Sequence, residues 1–133
     1  MEESGNSLML NAYVDGSLAG NSSFQPVSSA NRMRHRASMG IAVFQNYSGQ
    51  GIGEVLIDQM LRRAGECGFE IMELDVYSSN ERAIHLYEKL GFRKCGTLEN
   101  AVKYKDGSYT DLILMQKKPY AMRRRFFFPT PRT

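Results

Sequence analysis

A glycine-rich stretch between an apolar run and an amphipathic segment limits what this chain can fold into more than any other feature. Within residues 47–56, glycine recurs at alternate positions, namely Gly49, Gly51 and Gly53. The apolar run 37–44 comes before it, and residues 52–67 repeat apolar side chains at the period of a helix. The stretch therefore predicts a strand, a tight turn and a helix that begins at the turn.

A turn of this composition at a helix start predicts a site for a phosphate or pyrophosphate group. Glycine has no Cβ atom to keep a ligand away from the backbone, and the unpaired N–H groups of a first helical turn favour an anion. A dinucleotide fingerprint would need glycine at position 54, where the chain has Glu54, and a P-loop would need a Gly-Lys-Ser/Thr ending that is absent. Two interpretations stay open here, an anion site or a turn that only connects two elements.

Residues 80–92 form a second distinctive segment with the pattern Asn-x-x-Ala-x-x-x-Tyr-x-x-x-Gly-Phe. Together with Gly-x-Gly-x-Gly at 49–53, and in the same order and separation, it resembles the GNAT superfamily of acetyl-CoA-dependent N-acetyltransferases. The resemblance covers residues 8–117. It departs from the family twice: Ser48 stands where the family usually has Arg or Gln, and the family's first strand and the one or two helices after it have no counterpart.

The remaining patterns predict the element order β-β-β-α-β-α-β-β. We expect strands at 8–14, 17–27, 37–44, 70–77, 93–104 and 108–117, and helices at 52–67 and 81–90. Gly40 predicts a bulge in strand 37–44. This strand is apolar on both faces, which predicts that other elements pack against both of them. The fold class is α+β (α/β layered), with a mixed, mostly antiparallel central sheet flanked by helices. It is the GNAT-like fold without its first strand and helices.

Length and charge divide the chain into one domain, 1–118, and a basic, aromatic tail, 119–133. Residues 117–133 hold six of the 17 basic residues and none of the 14 acidic ones, so the domain itself is mildly acidic.

No apolar run approaches the length of a membrane span and no signal pattern opens the chain, so we expect no membrane partner. Cys67 and Cys95 have no metal-ligand spacing. We expect no metal, no disulfide and a cytoplasmic location.

The resemblance implies how acetyl-CoA, the cosubstrate, would bind. Its pyrophosphate would lie on the backbone N–H groups of six residues, Gly49, Gln50, Gly51, Ile52, Gly53 and Glu54. Its pantetheine would pair with the backbone of Ile41, Ala42 and Val43, where this strand splays from strand 70–77, and would also bond Asn80. Backbone N–H groups near Ala42 or Val43 could stabilise the oxyanion. Tyr87, about two helical turns after Asn80, would lie beside the thioester sulfur and donate a proton to it.

The general base is not identified by the sequence. A free alkylamine has a pKa near ~10, so the acceptor must lose a proton before it attacks. Four carboxylates are candidates, although a solvated or ion-paired strand residue is the preferred interpretation of each: Glu73, Asp75, Glu99 and Asp111. We interpret His35 and His85 as groups that are either on the surface or satisfied by a hydrogen bond.

We therefore expect an N-acetyltransferase that passes the acetyl group of acetyl-CoA directly to a primary amine. One alternative is an acyl-CoA-binding module without catalysis, which Ser48 and the absent helices favour. Another is a nucleic-acid-associated protein acting through its tail, although a solubilised end or a strap is the preferred interpretation of that tail. An exposed edge strand at 8–14 and the apolar tail residues Tyr120, Met122 and 126–128 predict a homodimer.

Overall fold

The computed structural model describes residues 6–120, which form a six-stranded sheet with two helices. The strands are β1 Leu8–Val14, β2 Ser17–Pro26, β3 Arg36–Val43, β4 Ile71–Tyr77, β5 Arg93–Lys103 and β6 Tyr109–Lys117, and the helices are α1 Ile52–Glu66 and α2 Glu81–Lys89. The predicted element order is confirmed, and every bound lies within one residue of its prediction. Residues 121–133, which include the arginines and phenylalanines of the tail, lie outside the described residues.

The strand order in the sheet is β1-β2-β3-β4-β6-β5. Only β3 and β4 pair in parallel, and the other neighbours are antiparallel, so the expected mixed, mostly antiparallel sheet is confirmed. The parallel pair arises because α1 carries the chain from the end of β3 back to the start of β4, as a crossover connection requires. The strand β1 forms one edge of the sheet.

Both helices pack on the same face of the sheet. Alternate side chains of the central strands, such as Met39 and Met72, form one core with Ile57 and Leu61 of α1 and with Tyr87 of α2. The prediction that β3 is covered on both sides is wrong, because Gly40 and Ala42 on its other face are exposed. These residues look apolar in the sequence, but they are small, and leaving them in water costs little.

The two central strands separate after a short stretch of pairing. β3 and β4 pair only from Arg36–Ile71 to Ser38–Glu73, whereas β3 follows β2 as far as Val43 and β4 follows β6 as far as Tyr77. The predicted bulge at Gly40 is wrong, since the β2–β3 register runs without a shift. The gap therefore opens because each strand stays with its outer neighbour.

Neither helix within residues 6–120 has the length and apolar character that a membrane crossing requires. In the same part of the chain, no group of three or more His, Cys, Asp or Glu side chains is arranged to hold a metal ion.

Candidate functional site

A cleft of about 570 Å³ lies where the gap between β3 and β4 meets the start of α1 and the side of α2. Nine of the residues singled out from the sequence line it: Ile41, Val43, Gly49, Gly51, Ile52, Gly53, Glu54, Asn80 and Tyr87. Ala42 and Gln50 are exposed and do not line it. A second cavity, of about 840 Å³, lies near His35 and Phe69, away from all of these residues.

The backbone of β3 presents alternate residues to the gap. Phe44 donates to the Ala19 carbonyl at 2.9 Å, in register with the β2–β3 ladder. Backbone groups alternate sides along an antiparallel strand, so the N–H and C=O groups of Ala42 also point to β2, where Ala42 lies opposite Asn21. The N–H and C=O groups of Ile41 and Val43 point to the other side. That side is the gap, where β3 has no ladder partner among the described residues beyond Ser38. Ile41 and Val43 therefore offer free backbone groups there, and Ala42 does not.

The glycine turn leaves its backbone accessible from the cleft. Gly49 and Gly51 have φ angles of 82° and 83°, the left-handed region that favours glycine. Gly51 is the N-cap of α1, and no side chain caps this helix end. A Cβ atom on Gly51 would meet nothing within 4 Å, so the space in front of it is open. The unpaired N–H groups of the first turn can accept an anion from that space, so the turn fits a pyrophosphate group.

The first turn of α1 also lies close against α2. A Cβ atom on Gly53 would be 3.2 Å from Leu86 Cδ2 and 3.8 Å from Val43 Cγ2, so even a methyl group there would press on the Leu86 side chain. Lys89 Nζ lies 2.6 Å from Glu54 Oε1, an ion pair between the two helices. The close approach of Leu86 to Gly53 and the Glu54–Lys89 ion pair therefore set the spacing of α1 and α2 at this end of the cleft.

Asn80 begins α2, and its side chain serves as the N-cap. Asn80 Oδ1 accepts a hydrogen bond of 3.2 Å from the N–H of Ala83. The amide nitrogen of the same side chain forms no hydrogen bond within residues 6–120. Asn80 can therefore hold the helix end and still donate to a ligand in the cleft.

Tyr87 is buried, with an exposed fraction of 8%, and its ring packs edge-on against Phe92 at 6.0 Å between centroids. Burial raises the pKa of the Tyr87 phenol, and the negative charge of Asp75 raises it further. Its hydroxyl forms no hydrogen bond within the described part of the chain. Tyr87 therefore stays protonated at neutral pH, with a proton to donate into the cleft.

Asp75 is the best placed of the four carboxylates considered as bases. It is exposed on β4 beside the gap, and its charge acts on Tyr87. Glu73 is held by an ion pair with Arg36, and Asp111 accepts a bond of 2.8 Å from the Asn100 N–H. Glu99 is exposed on β5, the strand at the sheet edge.

Several residues that line the cleft were given no role there by sequence reasoning, among them Tyr47, Ser48, Arg82, His85, Leu86 and Lys89. His85 is exposed, as expected, but it faces the cleft rather than a remote surface. The spacing of Arg82, His85 and Lys89 places them on one face of α2. That spacing is the signal that could have identified a basic wall.

Known acetyltransferases resemble this chain in sequence and in fold. The chain is 29% identical to the L-amino acid N-acyltransferase MnaT of Escherichia coli over 102 residues, 77% of this chain and 59% of that protein. It is 36% identical to the [ribosomal protein bS18]-alanine N-acetyltransferase of Escherichia coli over 75 residues, 56% of this chain and 50% of that protein. The chain therefore spans little more than half the length of these relatives.

The fold matches that of a putative acetyltransferase from Salmonella typhimurium, solved with its cofactor acetyl-CoA. The TM-score is 0.80 at 24% identity, over 90% of this chain and 69% of that one. The model of the acetyltransferase (GNAT) family matches residues 1–92, which include both the glycine turn and the segment 80–92. The chain belongs to the GNAT family of acetyltransferases.

Proposed function

We propose that this chain transfers the acetyl group of acetyl-CoA to a primary amine. The observation that carries the proposal is the gap between β3 and β4, which opens beside an uncapped glycine turn and holds the free hydroxyl of Tyr87 on its wall. These three features correspond to what the proposed reaction needs: a site for the pyrophosphate, a backbone partner for the pantetheine and a proton donor for the leaving thiolate.

The residues would hold the cosubstrate at three points. The N–H groups of residues 49–54 bind the pyrophosphate, and the amide of Asn80 donates to the pantetheine. The free backbone groups of Ile41 and Val43 pair with the pantetheine amides as a neighbouring strand would. Because Gln50 does not line the cleft, we assign its side chain no contact with the cosubstrate.

The chemistry needs a donor at each place where charge develops. When it is bound, acetyl-CoA supplies the acetyl group as a thioester. The N–H of Val43 stabilises negative charge on the carbonyl oxygen as the amine nitrogen adds to the carbonyl carbon. Tyr87 gives its proton to the sulfur as the carbon–sulfur bond breaks, and Asp75 takes the amine proton, directly or through water. Transfer is direct, which agrees with a cleft that neither Cys67 nor Cys95 lines.

The acceptor belongs to the primary amines, and α-amino groups are the first to test. One relative acts, by its name, on L-amino acids and the other on the alanine of a ribosomal protein. In both kinds of acceptor the amine is on the carbon atom bonded to a carbonyl or carboxyl carbon. The exposed carboxylate of Asp75 at the gap suits the approach of such a cationic group.

A screen of amine acceptors, followed by the release of free thiol from acetyl-CoA, tests this function. We expect turnover with at least one α-amino compound or peptide N-terminus. Binding of acetyl-CoA without turnover on any amine would contradict catalysis and would favour an acyl-CoA-binding module.

We also propose that the chain acts as a cytoplasmic homodimer. β1 is an edge strand whose outer face exposes Met9 and Tyr13, with exposed fractions of 69% and 63%. An unpaired edge with apolar side chains favours pairing with a second copy. Light scattering coupled to size exclusion should give the mass of two chains, and the mass of one chain would overturn the dimer.

A further inference from the structure

We propose that Arg82 of α2 binds the pyrophosphate of coenzyme A from the side of the cleft opposite the glycine turn. The proposal rests on the proposed function, and it assigns a charge-bearing residue to a site that the backbone alone would otherwise form. It starts from the proximity of two residues: Arg82 Nη2 lies 3.6 Å from the position that a Cβ atom would occupy on Gly49.

The guanidinium of Arg82 is available for a ligand. It forms no hydrogen bond or ion pair within residues 6–120. Lys89, on the same face of α2, is already held by Glu54 at 2.6 Å. Of these two cations lining the cleft, Arg82 is therefore the one whose charge is not neutralised by a neighbouring carboxylate.

The position of Arg82 matches the place where the anion would lie. Gly51 leaves open space in front of the first turn of α1, and the guanidinium beside Gly49 borders that space on the α2 side. A planar guanidinium donates to two phosphate oxygens at once and is suited to this geometry. The anion would then be held between backbone N–H groups of one helix and a side chain of the other.

This arrangement makes a specific prediction about which part of coenzyme A depends on Arg82. The Arg82→Ala variant should bind both CoA and 3′-dephospho-CoA about tenfold more weakly, as expected for loss of a charge-assisted bond. Its affinity for pantetheine, which has no phosphate, should match that of the parent. The Arg82→Lys variant should recover part of the loss, because it keeps the charge but not the fork.

Calorimetric titration of the full chain with these three ligands tests the inference, with Arg32→Ala, an exposed arginine remote from the cleft, as the matched control. Equal losses for CoA and 3′-dephospho-CoA in Arg82→Ala support it. A loss confined to CoA would place Arg82 at the 3′-phosphate, and an equal loss for pantetheine would give it a structural role; either result overturns the inference. Unchanged CoA affinity in Arg82→Ala would overturn the inference about Arg82 and leave the proposed function standing. A parent chain that binds no CoA would overturn both.

Discussion

The ammonium of Lys89 lies 2.6 Å from the carboxylate of Glu54, and this ion pair joins the first turn of α1 to the last turn of α2 across the cleft. The two residues are 35 positions apart in the sequence. Glu54 is the acidic residue in the first turn of α1, where an unpaired carboxylate would repel a phosphate. The ion pair therefore neutralises the negative charge closest to the proposed anion site.

Replacing Lys89 with glutamine should weaken acetyl-CoA binding. The unpaired charge of Glu54 would then lie beside the pyrophosphate, and because both side chains are partly exposed we expect a loss of about fivefold or less. The double variant Glu54→Gln/Lys89→Gln should bind as the parent does. Calorimetric titration measures both affinities, and a double variant as weak as the single one would contradict this role for the pair.

Replacing Tyr87 with phenylalanine should lower the turnover number on the order of 100-fold and leave acetyl-CoA affinity nearly unchanged. The ring and its contact with Phe92 remain, and only the proton donor is lost. Steady-state kinetics and a binding titration separate the two effects. Tyr109→Phe, which removes an exposed hydroxyl on β6, is the matched control. Unchanged turnover in Tyr87→Phe would make Tyr87 a packing residue.

The dependence of activity on pH should reflect the ionisation of the Tyr87 phenol. Burial and Asp75 raise the pKa of Tyr87 above the ordinary value of 10.0. The protonated form is thus favoured in the folded protein, and loss of the proton donor should reduce activity only above pH 10. An alkaline limb that begins near neutrality and disappears in Tyr87→Phe would contradict this pKa direction.

Replacing Asp75 with asparagine should lower kcat/KM for the amine by about 10- to 100-fold, because the base is lost. It should also lower the pKa of Tyr87, since the negative charge that disfavours the phenolate is gone. A pH–rate profile and an ultraviolet titration of phenolate formation measure the two effects. Glu99→Gln, an exposed carboxylate on β5, serves as control. A kcat/KM equal to the parent's would remove Asp75 from the mechanism.

Replacing Gly65 with alanine should displace Tyr120 from its position against α1. The Tyr120 N–H donates to the Leu61 carbonyl at 3.2 Å, and Arg62 lies 5.3 Å above the Tyr120 ring. A Cβ atom on Gly65 would overlap the Tyr120 carbonyl oxygen and lie 3.0 Å from its carbon, so backbone would have to move. Hydrogen exchange of the Tyr120 amide should therefore become faster, and Glu66→Ala at the next position should leave it unchanged. Unchanged exchange in Gly65→Ala would show that the segment is not held by this contact.

The order of the helices and strands could be predicted because each of them has a signal in its own residues. The glycine turn at 49–53 and the helical period of residues 52–67 are examples, and Gly49 and Gly51 have the positive φ angles, 82° and 83°, that favour glycine. Relations between elements have no local signal. The Glu54–Lys89 pair, the proximity of Arg82 to Gly49 and the effect of Asp75 on the pKa of Tyr87 depend on how two segments distant in sequence pack. The bulge at Gly40 was wrong for the same reason, since the register of a strand is set by its neighbours.

The central claim, that coenzyme A binds at the glycine turn, is tested most directly by calorimetric titration of Gly51→Val with acetyl-CoA. The side chain would enter the open space in front of α1, where the pyrophosphate is proposed to lie. Gly107→Val is the matched control, because Gly107 has a similar φ of 91° and similarly open surroundings but lies in the β5–β6 turn, outside the cleft. We expect the parent and Gly107→Val to bind acetyl-CoA alike and Gly51→Val, shown to be folded by circular dichroism, to lose binding. Equal affinities of Gly51→Val and Gly107→Val would contradict the site.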